Sequence, residues 1–440
     1  MNVTEKMPDY TKAPPISLVE PIAFRPDNRE GWEDRVRKIS AVFMGYPEVL
    51  GSDAQLTIIQ SADYIADSAG TLVRRPDNLA YVRILASAQA PDGMPLRDGE
   101  TLIAFDAGSL PVETELERAA STVAQETSAL VKAPMGENFT GPVLFEPRAA
   151  AQLFAQLLGD NLKLVRKPIL QPGQSLPWIG SELEGRIGSR ILPEWMDVVD
   201  DGTQTEWRGV TLAGHYPVDD EGVRPQPTTI IEKGVLKNFL LTRTPPIPGI
   251  TSGSNGHARF PGPFGEELPG MSNLFVRAEK TVSLADLKKQ LIDLCRQRGK
   301  PYGILVRKLD FPSSASVSEV RELEAENMRS GGGGRAPVPP ILVYRVYPDG
   351  HEELVRGLHF RDLNTRSLRD IVAASDDSYV LNYLDTPVTF ALEGASNFIA
   401  ATSVIAPAVL FDELELVPAT EETPRVPIVP PPPLVASAGH

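Results

Sequence analysis

GHYPVDDEGVRPQPTTIIEKGVLKNFLLTR, residues 214–243, is the stretch from which the architecture can be read. Its second half holds two β-rich runs around Glu232-Lys233-Gly234, turn chemistry that predicts a strand pair. Its first half ends an apolar run in three consecutive acids, Asp219, Asp220 and Glu221, stopped by Gly222. Acids in that position either bind a cation or a substrate amine, or serve as solvated turn residues, and the residue types leave both readings open. The polar segment TSGSNGHARF (251–260) carries His257 and Arg259 on a glycine-rich loop, which either lines a cleft or closes a hairpin.

Outward from this stretch, helices and strands alternate little. Trp32, Val36, Ile39, Val42 and Phe43 recur at helical spacing. The runs QLTIIQS (55–61), TLVRR (71–75) and LAYVRILASAQ (79–89) read as strands, with a hairpin turn at ADSAG between the first two. Residues 113–132 form an amphipathic helix with Leu116, Ala120, Val123 and Leu130 on one side. PVLF (142–145) predicts a strand, and PRAAAQLFAQLLG a helix opened by Pro147 and ended by Gly159. Downstream, Ser283 caps a helix to 299 with Asp286 at the capping-box position. GILVRKL follows as a strand, and 339–360 reads as a hairpin around Pro348-Asp349-Gly350. A helix from Asn364 to about Ala374 and several short strands to Leu416 complete the reading. This segregation predicts an α+β fold: a largely antiparallel sheet, able to close toward a barrel, with packed helices.

Composition divides the chain further. Prolines number 41 of 440 and crowd into PRVPIVPPPP (424–433), so 419–440 is expected to be a disordered polyproline-rich tail that could serve as a ligand for aromatic grooves. Residues 312–340 combine a charged segment with GGGG and read as a flexible insertion. The expected organisation is an extended segment 1–30, a reduced α/β region 31–135, and a main domain 136–418. A net charge of −15 opposes nucleic-acid binding, because a phosphate backbone would be repelled. No apolar run is long enough for a membrane helix and no signal peptide opens the chain, so a cytoplasmic protein is expected. The single Cys295 excludes a multi-cysteine metal site and falls on the apolar side of its helix as a packed thiol. There is no G-x-S-x-G, no G-x-G-x-x-G and no P-loop. His351-Glu352 starts like H-E-x-x-H, but position 355 is Val and the pair sits in a turn.

Several ordered motifs resemble the TldD/PmbA (TldD/TldE) metalloprotease family. GHYPVDDEG resembles its G-x-Y-x-x-D-D-E-G element, which brings in His215 and Tyr216 beside the three acids. IIEKGVLKNF resembles the strand pair around E-x-G-x-L that follows. SNGHARF, with Asn255, His257 and Arg259, resembles the T-G-N-x-R element, and PGMSNLFVRAEKTVSLADLKKQL the asparagine-containing strand and helix after it. The likeness spans about 135–416.

The resemblance implies a zinc site and also its loss. Catalytic members carry H-E-x-x-G-H on the helix that begins P-x-A-A, where the histidines hold zinc and the glutamate acts as base. Here the matching positions read Ala155-Gln156-Leu157-Leu158-Gly159-Asp160. Ala155 stands for the first His, Gln156 for the Glu and Asp160 for the second His, while no cysteine follows Cys295 to serve as third ligand. Alanine offers no lone pair, and glutamine cannot take a proton at neutral pH. The implied protein resembles the TldE/PmbA side: a non-catalytic peptide-binding subunit or pseudoenzyme, without a metal of its own. It would be a homodimer or pair with a zinc-bearing TldD-type subunit, and would take unfolded peptide in a cleft lined by His215, Tyr216, Asp219, Asp220, Glu221, Asn255, His257 and Arg259. Against this stand a stand-alone metallopeptidase using the acids with His215 and His257, and a binding protein with no role in proteolysis. The N-terminal region is shorter than the family's usual one, which bears on the dimer contacts it normally makes.

Overall fold

The structure is a computed structural model that describes residues 10–24, 28–166, 180–245, 253–262, 266–312, 314, 338–386, 399–419 and 427. The expected insertion at 312–340 and the Pro-rich 419–440 therefore fall almost wholly outside the described residues.

The first unit is built on the hairpin Gly51–Ala66/Leu72–Gln89. Its register runs unbroken from Gly51 opposite Ser87 to Ala66 opposite Leu72. The predicted turn is there because the Asp67 carboxylate accepts the amides of Ala69 and Thr71, each at 2.9 Å. Pro95–Ala104 adds antiparallel along 80–89, and Ser17–Val19 adds parallel along 72–74. One face of this sheet presents Ala80, Val82, Ile84 and Ala86 to the helices Arg29–Ala41 and Glu113–Lys132. The predicted stripe on the second helix is what it buries: Leu116, Ala120, Val123 and Leu130 are at most 3% exposed, and Ala124 joins them. Each such leucine or valine contributes about 1.5–3 kcal/mol.

The second unit is a mixed sheet assembled on Ala400–Pro418, a 19-residue strand. Along one edge this strand pairs with Ile371–Asp385 and then Leu358–Arg361, both antiparallel. Along the other it pairs with Asn273–Ala278, parallel, and then Phe139–Phe145, antiparallel. Beyond Phe139–Phe145 the sheet continues through Gly303–Leu309, Pro340–Val346 and Glu352–Val355. Beyond Asn273–Ala278 it continues through Met196–Asp200, Thr228–Glu232 and Val235–Leu236. The fold is α+β, and among the described strands the sheet stays open, with edges at Val235–Leu236 and Glu352–Val355. Leu284–Gln297, capped by Ser283 accepting the Asp286 amide at 3.1 Å, packs on one face through Leu287, Leu291 and Cys295. Burial pushes the Cys295 thiol up to about 11, as befits a packed residue.

Several local expectations are corrected. Residues 364–374 do not form a helix: a 3-10 turn at Ser367–Asp370 gives way to the strand Ile371–Asp385. The long ladder to Ala400–Pro418 outweighs the local helical preference there. In place of several short strands to Leu416 there are two long ones. The 339–360 hairpin closes at Val355; Leu358–Arg361 crosses to the central strand instead. After Thr228–Glu232, only Val235–Leu236 is strand, across a turn in which Lys233 and Gly234 both take positive φ. The helix from Pro147 does not stop at Gly159 but runs through a π segment, Ala155–Gly159, into Asp160–Leu162. No helix among the described residues is long and apolar enough to cross a membrane.

Candidate functional site

The helix at 147–162 lies in the core, with Ala149, Ala150, Leu153 and Phe154 fully buried. Four of its polar residues fall four apart, at Arg148, Gln152, Gln156 and Asp160, and so share one side. Each is engaged. Arg148 reaches Glu100 of the first unit at 2.5 Å. Gln152 accepts the Leu309 amide at 2.8 Å and donates to the Leu309 and Phe311 carbonyls. Gln156 accepts the Val338 amide at 2.7 Å and donates to the Gln152 carbonyl at 3.3 Å. Asp160 takes the Lys163 ammonium at 3.0 Å.

That ammonium is shared. Lys163 Nζ also lies 2.8 and 2.6 Å from the two carboxylate oxygens of Asp385, with the ring of Phe260 5.7 Å away. All three side chains are at most 10% exposed. At the positions that the resemblance assigns to zinc ligands, Ala155 has no donor atom, the Gln156 oxygen is taken by a backbone amide, and Asp160 already neutralises a cation. These residues do not fit a zinc ion. Among the described residues, no three His, Cys, Asp or Glu side chains are grouped so as to hold a metal.

The N-terminal half of the helix floors a cleft of about 570 Å³. Arg148 and Gln152 lie beneath it, and Leu381 and Phe311 flank it. Its roof is the side of the first sheet opposite its helices, with Arg83, Leu85 and Ser87. The walls are tied by ion pairs: Arg97 to Asp310 at 3.0 Å, and the buried Lys308 to Asp98 at 2.6 Å and to Glu126 at 3.1 Å. Burial pushes Asp98 up to about 7.

The residues singled out around GHYPVDDEG form a junction elsewhere, and none of them lines this cleft. Asp219 is fully buried and accepts the amides of Glu221, Val223 and Ala258 at 2.7–3.1 Å, holding a turn rather than facing a ligand. Burial nevertheless raises it to about 6. Asp220 pairs with Arg75 of the long hairpin at 2.8 Å, and burial raises it too. Arg75 also holds Asp63 at 2.9 Å and donates to the Val218 carbonyl. Glu221 accepts the Arg243 amide and the Tyr10 hydroxyl, and burial pushes it up to about 7. Gly222, at φ 76°, sits where a side chain would strike Thr71. The acids thus fasten the hairpin tip and the segment around Tyr10 to the second unit.

The other candidates form a buried network. His257 faces Asp200 through Nε2 at 2.9 Å and Asn255 through Nδ1 at 2.8 Å. Asn255 is fixed by accepting the Leu241 amide and donating to the Phe239 carbonyl. Ser272 donates to the same Asp200 oxygen, so imidazole and hydroxyl share one acceptor and are not in relay. Tyr216 donates to the Gly256 carbonyl at 2.6 Å beneath the Arg259 guanidinium, 4.1 Å from its ring. Burial raises the Tyr216 phenol, and Arg259 also reaches the Ala401 carbonyl. His215 contacts the Gly202 carbonyl at 2.9 Å. The described part of TSGSNGHARF, 253–260, both closes a hairpin, Ala258–Pro261 against Glu267–Pro269, and feeds this network. Ala155, Gln156 and Asp160 stay apart from it, on the helix. His351 is an exposed turn residue.

Lys163, Asp385, Arg75, Arg148 and Gln152 escaped the sequence reading. The four-residue spacing from Arg148 to Asp160 was its only available signal, since Asp385 lies 222 residues from Lys163.

Comparison with known proteins agrees with this architecture. The PmbA/TldA metallopeptidase C-terminal domain matches residues 139–328. A metalloprotease of Archaeoglobus fulgidus is 41% identical over 61 residues, 14% of this chain and 13% of that protein. One of Methanothermobacter thermautotrophicus is 24% identical over 196 residues, 44% of this chain and 39% of that protein. The chain thus matches well under two thirds of the length of either relative. The fold is shared with a candidate modulator of a DNA gyrase from Thermotoga maritima (TM-score 0.57, 17% identity, 94% of this chain and 81% of that one). It is also shared with TldE from Thermococcus kodakarensis (TM-score 0.55, 16% identity, 91% and 79%). The matched domain and the metalloprotease relatives thus tie residues 139–328 of this chain to the TldD/PmbA family of metallopeptidase-like proteins, and the common fold agrees with that likeness.

Proposed function

We propose that this chain is a metal-free, peptide-binding member of its family, a pseudoenzyme that either forms a homodimer or completes the cleft of a zinc-bearing TldD-type partner in the cytoplasm. One observation carries the reading: on the helix where the family resemblance puts the zinc ligands, Gln156 is bonded to the Val338 amide and Asp160 to Lys163. Neither is left to bind a metal or to activate water. The cleft above the same helix, at about 570 Å³, has the size of a ligand site. It supports a role in holding an unfolded segment without cutting it.

The test is metal analysis and proteolysis on the purified full chain. The expected result is less than one zinc per protomer, no cleavage of unfolded casein by the chain alone, and retention of a fluorescent unfolded peptide that weakens in Arg148→Ala. Stoichiometric zinc that is lost in Asp160→Ala would overturn the reading.

A further inference from the structure

The family's zinc and this chain's residues disagree, and the geometry at the end of the helix says what stands in the metal's stead. A divalent cation among carboxylates does two things there: it neutralises them, and it ties distant segments together. Here Asp160 ends the π segment and Asp385 ends the strand Ile371–Asp385, 225 residues later. Their carboxylates approach each other inside the fold, where like charges strongly repel. Lys163 Nζ sits within 3.0 Å of both. Lys163 is also in a bridge with Leu240, and the Leu240 amide donates to the Leu162 carbonyl at 3.1 Å, so the lysine backbone is anchored.

We propose that Lys163 is a tethered cation that takes over, at this helix end, the charge-neutralising and cross-linking role of a bound metal ion, and thereby bars a free divalent cation from Asp160 and Asp385. The proposal rests on reading this helix as metal-free and adds the reason it stays so. Asp160 and Asp385 act as the counterions, and the Phe260 ring closes a further side. An ammonium bonded to two carboxylates gives up little to solvent at this burial, so free cations compete poorly with it.

The experiment is cation rescue, read as thermal midpoints of the full chain with and without millimolar MgCl2, MnCl2 or methylammonium chloride, at constant ionic strength. Wild type should show no specific response. Lys163→Ala should melt lower and recover several degrees on adding one of these cations. The triple variant Lys163→Ala/Asp160→Asn/Asp385→Asn should lose that recovery. Equal responses in wild type and Lys163→Ala, or recovery that survives in the triple variant, would overturn the proposal. If Lys163→Ala does not fold, Lys163→Arg serves: it should keep wild-type stability and indifference to cations, and a gain of cation response there counts against the tethered role. Zinc found in wild type overturns the metal-free reading; a missing rescue overturns only this inference.

Discussion

Arg75 and Asp220 meet at 2.8 Å across the boundary between the long N-terminal hairpin and the acidic turn of the second unit. The guanidinium is about 10% exposed and also holds Asp63. Removing it leaves two carboxylates and the Val218 carbonyl short of a donor. Arg75→Ala should cost about 2–3 kcal/mol and expose the hairpin tip to limited proteolysis near residues 66–71. Urea denaturation with mapped proteinase K cuts measures both; unchanged cutting would show that the contact does not fasten the units.

The acids at this boundary set the pH response. Burial pushes Glu221 and Glu267 up to about 7 and Asp219 to about 6, against about 4 in an unfolded chain. Between those limits the folded form binds more protons. These groups therefore contribute stability that is full below pH 4 and is lost as pH rises through 6 to 7. The melting midpoint should fall from pH 5.5 to pH 8. Glu221→Gln, which keeps one oxygen to accept the Arg243 amide and turns its NH2 toward the Tyr10 hydroxyl oxygen, should flatten that fall and melt above wild type at pH 8. A variant with the same slope as wild type refutes the assignment.

Gly159 is packed for want of a side chain. A Cβ there would lie 2.3 Å from Met271 Sδ and 2.4 Å from its Cε. Gly159→Ala should cost about 1–3 kcal/mol through overpacking. In a Met271→Ala background that cost should shrink by at least about 1 kcal/mol, the signature of a shared contact. Equal costs in the two backgrounds would place the strain elsewhere.

Gln156 fastens Val338 by its amide, so Gln156→Ala should leave a buried N–H unpaired at about 1–3 kcal/mol. Hydrogen exchange gives the local readout: the Val338 amide should lose protection more than Leu309, whose acceptor is Gln152. Uniform loss across the sheet would mean global destabilisation and no specific clamp.

What the sequence revealed follows the range of the forces involved. Glu113–Lys132 and Leu284–Gln297 were legible because a helix writes its buried face into i, i+3 and i+4 positions. The hairpin at 51–89 was legible from its turn chemistry. Ile371–Asp385 was not, because its strand state comes from pairing with residues 400–411 and not from its own neighbours. The candidate site divides in the same way. The residue types at Ala155, Gln156 and Asp160 are visible one by one. The use of Asp219 as a turn cap, and of Asp385 as the second partner of Lys163, depends on folding that brings remote segments together. The cleft lies between two units and belongs to neither in sequence.

Ala400–Pro418 has a consequence for assembly. Four strands that come earlier in the chain find their common neighbour only in this late segment. During synthesis those strands emerge with open edges and apolar faces and must wait for it. The N-terminal hairpin, whose partners are local, can form long before. The folding of this protein is thus staged by chain order, with an early-maturing first unit and a second unit exposed to misassociation until its keystone strand leaves the ribosome.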